Sequence, residues 1–268
     1  MEFSFILLTW NSERYIGSCI DSIIAEGQLL NEPFEIHIVD NGSSDSTAEK
    51  IHYLAQLHPG IIYPIFLSTN LGTTRSRNMA LRKATGRYIV VLDSDIQLLP
   101  GVTIGLLETL QKRADVGVVA PRLIYPDGRH QKSVDIFPTL THKIKRFLWL
   151  KKMECNEAPL LQEKGAVEVD YAISAMWMLP KATIEKVGLL DENIFYSPED
   201  VDYCLRIWKS GLKVIYDPKW TAIHDAQEIS RGWRIRKSTI LHVFGLLYFF
   251  KKHRYYLRPP VRINRSIK

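Results

Sequence analysis

Three polar clusters stand where short apolar runs of the sequence end: Thr9-Trp10-Asn11, Asp40-Asn41-Gly42 and Asp93-Ser94-Asp95. Each apolar run is typical of a buried strand, and open α/β sheets bind ligands beyond the carboxyl ends of their strands. Asp, Asn and Gly also favour turns, so a single cluster would be ordinary loop chemistry. Three such clusters at successive strand ends favour a binding site.

Asp93 and Asp95 have the spacing that best fits metal chemistry. Residues two apart at the end of a strand point to one face, and two carboxylates on one face repel each other unless a cation neutralises them. Mg2+ or Mn2+ would do so through oxygen ligands and would also attract diphosphate oxygens. A DxD triplet is common by chance, but this one follows an apolar strand. No Walker A or GxGxxG pattern accompanies it, which argues against P-loop and dinucleotide binding.

A second acidic cluster lies at the start of a predicted helix and contains Glu199, Asp200 and Asp202. Negative charge near a helix N-terminus complements the helix dipole, which is a purely structural interpretation. The functional interpretation is a carboxylate that removes a proton from an acceptor hydroxyl. The spacing leaves both open. His224 ends a later apolar stretch, and a lone His in that setting is more often structural than a metal ligand.

The first half of the chain alternates strand and helix patterns, which predicts a mostly parallel α/β sheet with helices on both faces. The predicted strands are 3–8, 34–39, 61–67 and 88–92. The predicted helices begin near Ser12, at an N-cap formed by Ser44 or Asp45, and at Thr73, the last running to Ala84 and closed by Gly86. The second half is less regular. It predicts strands at 116–120, 169–179, 213–216 and 221–224, a helix at 199–210, and loops with short helices over 121–164.

The charge is concentrated at the C-terminus. The whole chain carries a net charge of +6, yet residues 231–268 hold eleven Lys and Arg and no Asp or Glu. We expect 229–268 to form a basic, aromatic extension that is helical from about Trp233 to Lys252. Its aromatic and apolar residues lie among cations, as in interfacial helices on anionic lipid, and 143–152 is a smaller copy. Packing of the aromatics on the body is the alternative, as is a solvated tail. No nucleic-acid motif accompanies these cations, so no nucleic-acid partner is expected.

Cysteine usage and hydropathy indicate the compartment. Cys19, Cys155 and Cys204 form no CxxC pair, which fits reduced thiols in a cytosolic protein. The apolar N-terminus is interpreted as a first strand rather than a signal peptide. The apolar run 240–250 is too short to span a bilayer.

Taken in order, the motifs resemble those of the family 2 glycosyltransferases with the GT-A fold, and in particular the rhamnosyltransferase-like branch. The segments that carry the resemblance are 8–11 after the first strand, 39–47 (DNGS-D-S/T), 70–78 (NxGxxxxRN), 86–95 (G-x-Y leading into DxD), 121–138, and 188–206 (GxxDE followed by EDVDxCxR). Each motif alone is moderately specific, and the ordered set is strong.

The resemblance implies roles for individual residues. Asp40 would bind the nucleobase, and the nucleotide site would be completed by Thr9, Trp10, Asn11, Ser94 and Arg77. Asp93 and Asp95 would hold the metal and diphosphate, with His224 as a further ligand, and Asp200 would be the catalytic base.

The implied reaction is an inverting, metal-dependent transfer from a nucleotide sugar, dTDP-rhamnose or a UDP-hexose, to a saccharide or polyprenol-linked acceptor in cell-surface polysaccharide synthesis. Residues 1–120 would be the nucleotide-binding half of the domain 1–228, and 121–228 the acceptor half. The protein would lie peripherally at the inner face of the plasma membrane. A catalytically inactive nucleotide-sugar-binding module of the same fold is the alternative. A sugar-nucleotide-forming nucleotidyltransferase is disfavoured because its Gly-rich basic phosphate loop is missing.

Overall fold

The computed structural model describes residues 1–140, 165–226 and 237–260. The strands are β1 (Phe3–Thr9), β2 (Phe34–Asp40), β3 (Ile62–Phe66), β4 (Tyr88–Asp93), β5 (Ile96–Leu98), β6 (Val116–Ile124), β7 (His130–Gln131), β8 (Val134–Asp135), β9 (Val167–Glu168), β10 (Tyr171–Ala172), β11 (Met176–Pro180) and β12 (Lys213–His224). The helices are α1 (Ile16–Leu30), α2 (Thr47–Leu57), α3 (Thr73–Leu81), α4 (Val102–Gln111), α5 (Lys181–Val187), α6 (Glu199–Lys209) and α7 (Lys237–His253).

One large sheet runs through the molecule in the order β3-β2-β1-β4-β11-β6-β12-β5. Strands β1 to β4 pair in parallel, as do β6 and β12, while β11 and β5 run against their neighbours. The apolar runs predicted as strands are buried on both sides, which is why helices must cover both faces. The predicted mostly parallel α/β architecture is confirmed.

Each face of the sheet has its own hydrophobic core. Ile20 of α1, Ile51 of α2 and Leu106 of α4 pack on one face. Ala80 of α3, residues of α6 and Phe249 of α7 pack on the other. The sheet is therefore the rigid layer that fixes the strand ends, where the polar clusters lie.

Two predicted helix boundaries in the first half were wrong. The N-cap of α2 is Ser46, although the Asp45 carboxylate accepts a hydrogen bond from the Thr47 amide at 3.1 Å. Helix α3 ends at Leu81 rather than Ala84. The chain leaves the helix there to enter β4. On the way Gly86 lies so close to β1 that a Cβ would stand 2.5 Å from the Ser4 nitrogen.

The second half departs further from the prediction. The strand expected over 169–179 is divided into β10 and β11, and the Ile173 amide between them donates to the Ser133 carbonyl at 2.8 Å. The two strands expected over 213–224 are one strand, β12, with a register shift between Asp217 and Thr221. Strand β6 continues past Ala120 because Leu123 and Ile124 pair with β7. Loops expected within 141–164 lie outside the described residues, as does Cys155, while Cys19 and Cys204 are buried free thiols.

The C-terminal helix α7 is packed on the domain through its aromatic side chains. Phe249, Phe250 and the following Tyr255 are buried in the second core. The predicted helical extension is thus present from Lys237, whereas Trp233 lies outside the described residues. None of the described helices is both long and apolar enough to cross a bilayer. The boundary between the domain and the extension stays a prediction.

Polar contacts fasten α7 to the start of α6. Buried Asp202 accepts hydrogen bonds from Lys252 Nζ at 2.6 Å and from His253 Nε2 at 2.8 Å. Lys252 also donates to Asp191 at 2.7 Å, as does the Tyr248 hydroxyl at 2.9 Å. Two helices and the loop between α5 and α6 are therefore joined around shared carboxylates.

Gly245 lets α7 approach that loop. A Cβ at this position would lie 2.0 Å from the Ser197 carbonyl oxygen, which is far inside van der Waals contact. One turn away, His242 Nδ1 lies 2.9 Å from Ser197 Oγ. The close approach explains the glycine in the middle of a helix, where glycine otherwise costs stability.

We predict that Gly245→Ala lowers the free energy of unfolding by about 1–3 kcal/mol, because the clash with Ser197 outweighs the ordinary gain of alanine in a helix. Urea unfolding followed by circular dichroism measures it. Gly17→Ala in α1 is the matched control, since a Cβ there meets nothing within 4 Å. Equal stability of the two variants would contradict the packing argument.

Candidate active site

The polar clusters meet because they follow strands of one direction. Thr9 and Asp40 are register partners at the ends of β1 and β2, and Asp93 ends β4 opposite Leu8. His224 ends β12, which runs in the same sense several strands away. Carboxyl ends of parallel strands share one edge of a sheet, which is where α/β proteins bind ligands.

Asp93, Asp95 and His224 form a cluster with the composition of a divalent metal site. Each offers one ligand atom, and these three atoms all lie within 4.8 Å of one another. His224 Nε2 lies 3.2 Å from Asp95 Oδ1. The antiparallel pairing of β12 with β5 creates this contact, because it sets His224 opposite Ile96, next to Asp95. Two carboxylates and an imidazole suit Mn2+ or Mg2+.

The other imidazole nitrogen of His224 is held by a partner that the sequence did not indicate. Nδ1 lies 2.7 Å from the Gln131 side-chain oxygen. An amide oxygen only accepts, so Nδ1 carries a hydrogen, and Nε2 is the nitrogen that faces Asp95 and would bind a metal after losing its own proton. Such a contact fixes the tautomer that a metal-binding histidine needs.

Arg77, on α3, provides a positive charge beside the carboxylates at this edge of the sheet. Its guanidinium is only 1% exposed and makes an ion pair with Asp93 through Nη2. Nη1 donates to Ser174 Oγ at 2.7 Å, and Nη2 also donates to the Ser174 carbonyl at 3.1 Å. The guanidinium fork thus fixes the Asp93 carboxylate relative to the turn between β10 and β11.

The same cation reaches the start of α6. Glu199 Oε1 lies 3.8 Å from Arg77 Nη1 and accepts a hydrogen bond from Ser174 Oγ at 3.1 Å. A network of contacts runs from Asp93 through the buried Arg77 and Ser174 to Glu199. It connects the end of β4 to the first turn of α6, which also bears the predicted base Asp200.

Two carboxylates of this site, Glu199 and Asp93, have raised pKa values. Burial, reinforced by the charge of Asp200, raises the pKa of Glu199 to about 8, although Arg77 opposes the shift. Desolvation also raises the pKa of Asp93, with Arg77 lowering it and Asp95 raising it. Burial alone would lower the pKa of His224, but the hydrogen bond and charge of Asp95 outweigh burial and raise it. The cluster of acids therefore favours a cation.

The three carboxylates at the start of α6 have different surroundings. Glu199 faces Arg77 and Ser174, and Asp202 is fully buried against α7. Asp200 keeps more exposure than either and accepts a hydrogen bond from the Val201 amide at 2.8 Å. All three also lie where the helix dipole favours negative charge, so that structural interpretation holds beside any catalytic one.

The loops after β1 and β2, which carry most of the predicted nucleotide-binding residues, are hydrogen-bonded to each other. Asn11, in a left-handed conformation with φ 51°, accepts from the Ser44 amide at 2.8 Å. Ser43 Oγ accepts from the Asn11 amide at 2.8 Å and donates to Asp40. These contacts fix the predicted nucleotide-binding residues in one surface.

The remaining predicted donor residues differ in exposure. Trp10 is exposed, whereas Thr9 and Ser94 are buried. Thr9 Oγ1 has no hydrogen-bond partner among the described residues, and the Ser94 hydroxyl lies 2.7 Å from Ser12 Oγ.

Other motif residues support the fold around the site. The Asn78 amide donates to the Leu190 carbonyl at 2.9 Å and to Glu192 Oε1 at 3.0 Å, and its oxygen accepts from the Leu190 amide at 3.1 Å. The Thr74 hydroxyl donates to the Ile194 carbonyl at 2.7 Å. The loop that leads to α6 is therefore held by α3.

Three residues belong to the site although sequence reasoning did not select them: Gln131, Ser174 and Tyr196. Partial desolvation and then the charge of Glu199 and Asp93 raise the pKa of the Tyr196 hydroxyl, although the residue as a whole is exposed. Its position before Glu199 was the available signal. Gln131 and Ser174 carry no local pattern, and only the sheet order brings them here.

Comparisons with known proteins agree with this geometry. Residues 4–167 match the glycosyl transferase family 2. An N-acetylglucosaminyl-diphospho-decaprenol L-rhamnosyltransferase of Mycobacterium tuberculosis is 22% identical over 271 residues, covering 92% of this chain and 84% of that protein.

Solved structures show the same fold at low identity. GalNAc-T7 with UDP, GalNAc and Mn2+ superposes with a TM-score of 0.69 at 14% identity, over 94% of this chain and 48% of that one. A mannosyltransferase from Pyrobaculum calidifontis, in complex with GDP-Man and Mn2+, gives 0.65 at 18% identity, over 97% of this chain and 66% of that one. The predicted GT-A fold is confirmed. The chain belongs to glycosyl transferase family 2, and it is a glycosyltransferase.

Proposed function

We propose that this glycosyltransferase inverts the anomeric configuration while it moves a sugar from a nucleotide-sugar donor to an acceptor hydroxyl, with a divalent metal. One observation carries the proposal: Asp93, Asp95 and His224 meet at the carboxyl edge of the sheet, and a buried network links them to the helix that bears Asp200. The inactive-module alternative would use the cluster for binding but would need no accessible carboxylate such as Asp200 beside it.

Asp200 is the proposed general base. Its carboxylate accepts the proton of the acceptor hydroxyl as the acceptor oxygen attacks the anomeric carbon from the face opposite the leaving diphosphate. Among the acids of α6, Glu199 and Asp202 are more deeply buried. Asp200 is therefore the one with access to an incoming hydroxyl.

The proposed metal ligands are Asp93, Asp95 and His224, and the donor set fits Mg2+ or Mn2+. A cation bound there would supply the positive charge that stabilises the departing diphosphate. Asp93 is held by Arg77 and His224 by Gln131, so the protein arranges these ligands in advance.

For the donor we assign Asp40 to the nucleobase and Thr9, Trp10, Asn11 and Ser94 to the nucleotide. We assign Arg77 to positioning of Asp93 rather than to the donor, because its guanidinium is already bonded to Asp93 and Ser174. Residues 1–120 would then be the nucleotide-binding half and 121–228 the acceptor half.

The relatives favour a particular substrate class. The mycobacterial protein is named for transfer of L-rhamnose to a diphospho-decaprenol acceptor. We therefore propose dTDP-rhamnose first and a UDP-hexose second as donor, and a polyprenol-linked saccharide as acceptor, in cell-surface polysaccharide synthesis. Such an acceptor would bring the protein to the inner face of the plasma membrane as a peripheral protein.

A thermal-shift screen against nucleoside diphosphates and nucleotide sugars, with and without Mn2+, tests the proposal. We expect a metal-dependent rise of Tm with one diphosphate series, because a ligand that binds the folded state stabilises it. No shift with any series, in a folded sample, would contradict the nucleotide-sugar site itself, and a shift without turnover would favour the inactive module.

We predict that Asp200→Asn lowers kcat by about 10²–10⁴-fold while the Mn2+-dependent shift with the donor is kept. Turnover of the donor found in the screen measures it. Asp202→Asn is the matched variant in the same helix: it should lower Tm, because it weakens the contacts with Lys252 and His253. Normal turnover of Asp200→Asn would remove Asp200 from the mechanism.

Metal binding should strengthen with pH. Asp93 and His224 must lose their protons to bind a metal, and both have raised pKa values, so protons compete more strongly as the pH falls. We expect the Mn2+-induced rise of Tm to be larger at pH 8 than at pH 6. Asp95→Asn, as control, should reduce the shift at both pH values. A shift that is independent of pH would contradict this ligand set.

Arg77→Lys should lower kcat at least about tenfold with little change in the donor KM, because lysine lacks the planar fork that joins Asp93 to Ser174. Steady-state kinetics and a Mn2+ titration measure the effect. A rise in donor KM at unchanged kcat would instead indicate direct contact between Arg77 and the donor.

A further inference from the structure

The exposed face of α7 carries large apolar side chains followed by cations. Along one stripe of the helix, Val243, Phe244 and Leu247 are followed by Lys251, all of them exposed. Phe244 is 65% exposed and Leu247 is 58% exposed. Residues three and four apart share one face of a helix, so these four side chains form one continuous surface, here called the α7 stripe. The exposed cation Arg254 comes directly after the helix end.

The surface continues beyond the helix end. Tyr256 and Leu257 are exposed large side chains, and Arg258 follows them. The Tyr256 carbonyl accepts a hydrogen bond from the Leu140 amide at 2.7 Å, and Leu140 is exposed as well. Apolar groups with cations beside them, and no acidic residue anywhere in 231–268, are complementary to lipid with negative headgroups.

The opposite face of α7 makes the contacts with the domain, so the exposed apolar residues are not needed to pack the helix on it. Phe249 and Phe250 are buried, and Tyr248 and Lys252 bind the carboxylates of Asp191 and Asp202. The helix therefore has a complete inner face, and its apolar outer residues have no packing role within the described residues.

We propose that the α7 stripe docks on an anionic lipid surface, and that α7 thereby sets the loop 191–198 and the start of α6 at that surface. The inner contacts form the link: His242 meets Ser197, and Gly245 lies against the same residue. Exposed Phe195 and Tyr196 precede that residue, and Asp200 follows it. The second half of this proposal rests on the glycosyl transfer proposed above, since it gives a lipid-linked acceptor access to Asp200.

Docking is tested by co-flotation of the full chain with vesicles of phosphatidylcholine alone or mixed with phosphatidylglycerol. We expect flotation with the anionic vesicles only. Phe244→Ser/Leu247→Ser should lower the bound fraction at least about tenfold, as should Lys251→Glu/Arg254→Glu. The matched control is Tyr53→Ser/Leu57→Ser on α2, whose side chains are 60% and 53% exposed, and it should float like the unaltered chain.

Equal flotation of the α7 variants and the control would overturn the proposal. So would a wild-type chain that elutes as a dimer while Phe244→Ser/Leu247→Ser elutes as a monomer and floats normally, because the stripe would then bind a second copy. Thermal melts and the Mn2+-dependent shift with the donor show that each variant is folded and has an intact donor site.

The link to catalysis has its own readout. Phe244→Ser/Leu247→Ser should lower transfer to a polyprenol-linked acceptor in vesicles and leave transfer to a short-chain, water-soluble acceptor unchanged. Equal loss with both acceptors would overturn the link. Absence of all transfer by the unaltered chain would refute the proposed function, while the flotation result would still decide the docking.

Discussion

A single buried guanidinium sets the charge balance on which the site is built. Arg77 lies between Asp93, at the end of β4, and Glu199, at the start of α6, with Ser174 hydrogen-bonded to both cation and acid. Removing the cation would leave the buried Glu199 and the partly exposed Asp93 without a compensating charge, and breaking a buried pair by removing one partner is strongly destabilising. The positions of β4, the turn before β11 and the start of α6 therefore depend on one side chain of α3.

Around that cation, the sheet brings together residues that lie far apart in the chain. Asp93 and His224 end strands of the same direction, and β5 pairs with β12 so that Asp95 meets the imidazole. The three carboxylates in the first turn of α6 have different contacts. Glu199 completes the buried network, Asp202 anchors α7, and Asp200 stays accessible.

The strands and site residues that could be predicted from the sequence are those marked by a pattern of neighbouring residues. The strands β1 to β4 follow from apolar runs, and Asp93 and Asp95 were selected from their position at a strand end, whereas His224 was selected through the family resemblance. The features that sequence reasoning missed depend on contacts between residues that lie far apart in the chain. Residues 169–179 are apolar enough for one strand, but they turn at Ser174 to meet Arg77. Strand β12 tolerates Pro218 inside it because the register shift falls there. Gln131 has no pattern of its own and reaches His224 through the pairing of β7 with β6.

The place of β11 in the sheet has a consequence for biosynthesis. This strand lies between β4 and β6 and runs against both, yet it follows them in the chain. On the ribosome, β4 and β6 emerge first, and the gap between them is filled only when residues 176–180 have left the exit tunnel. Open strand edges pair readily with other chains. The nascent protein is thus most exposed to aggregation in that interval, and a chaperone that shields the two edges would act there.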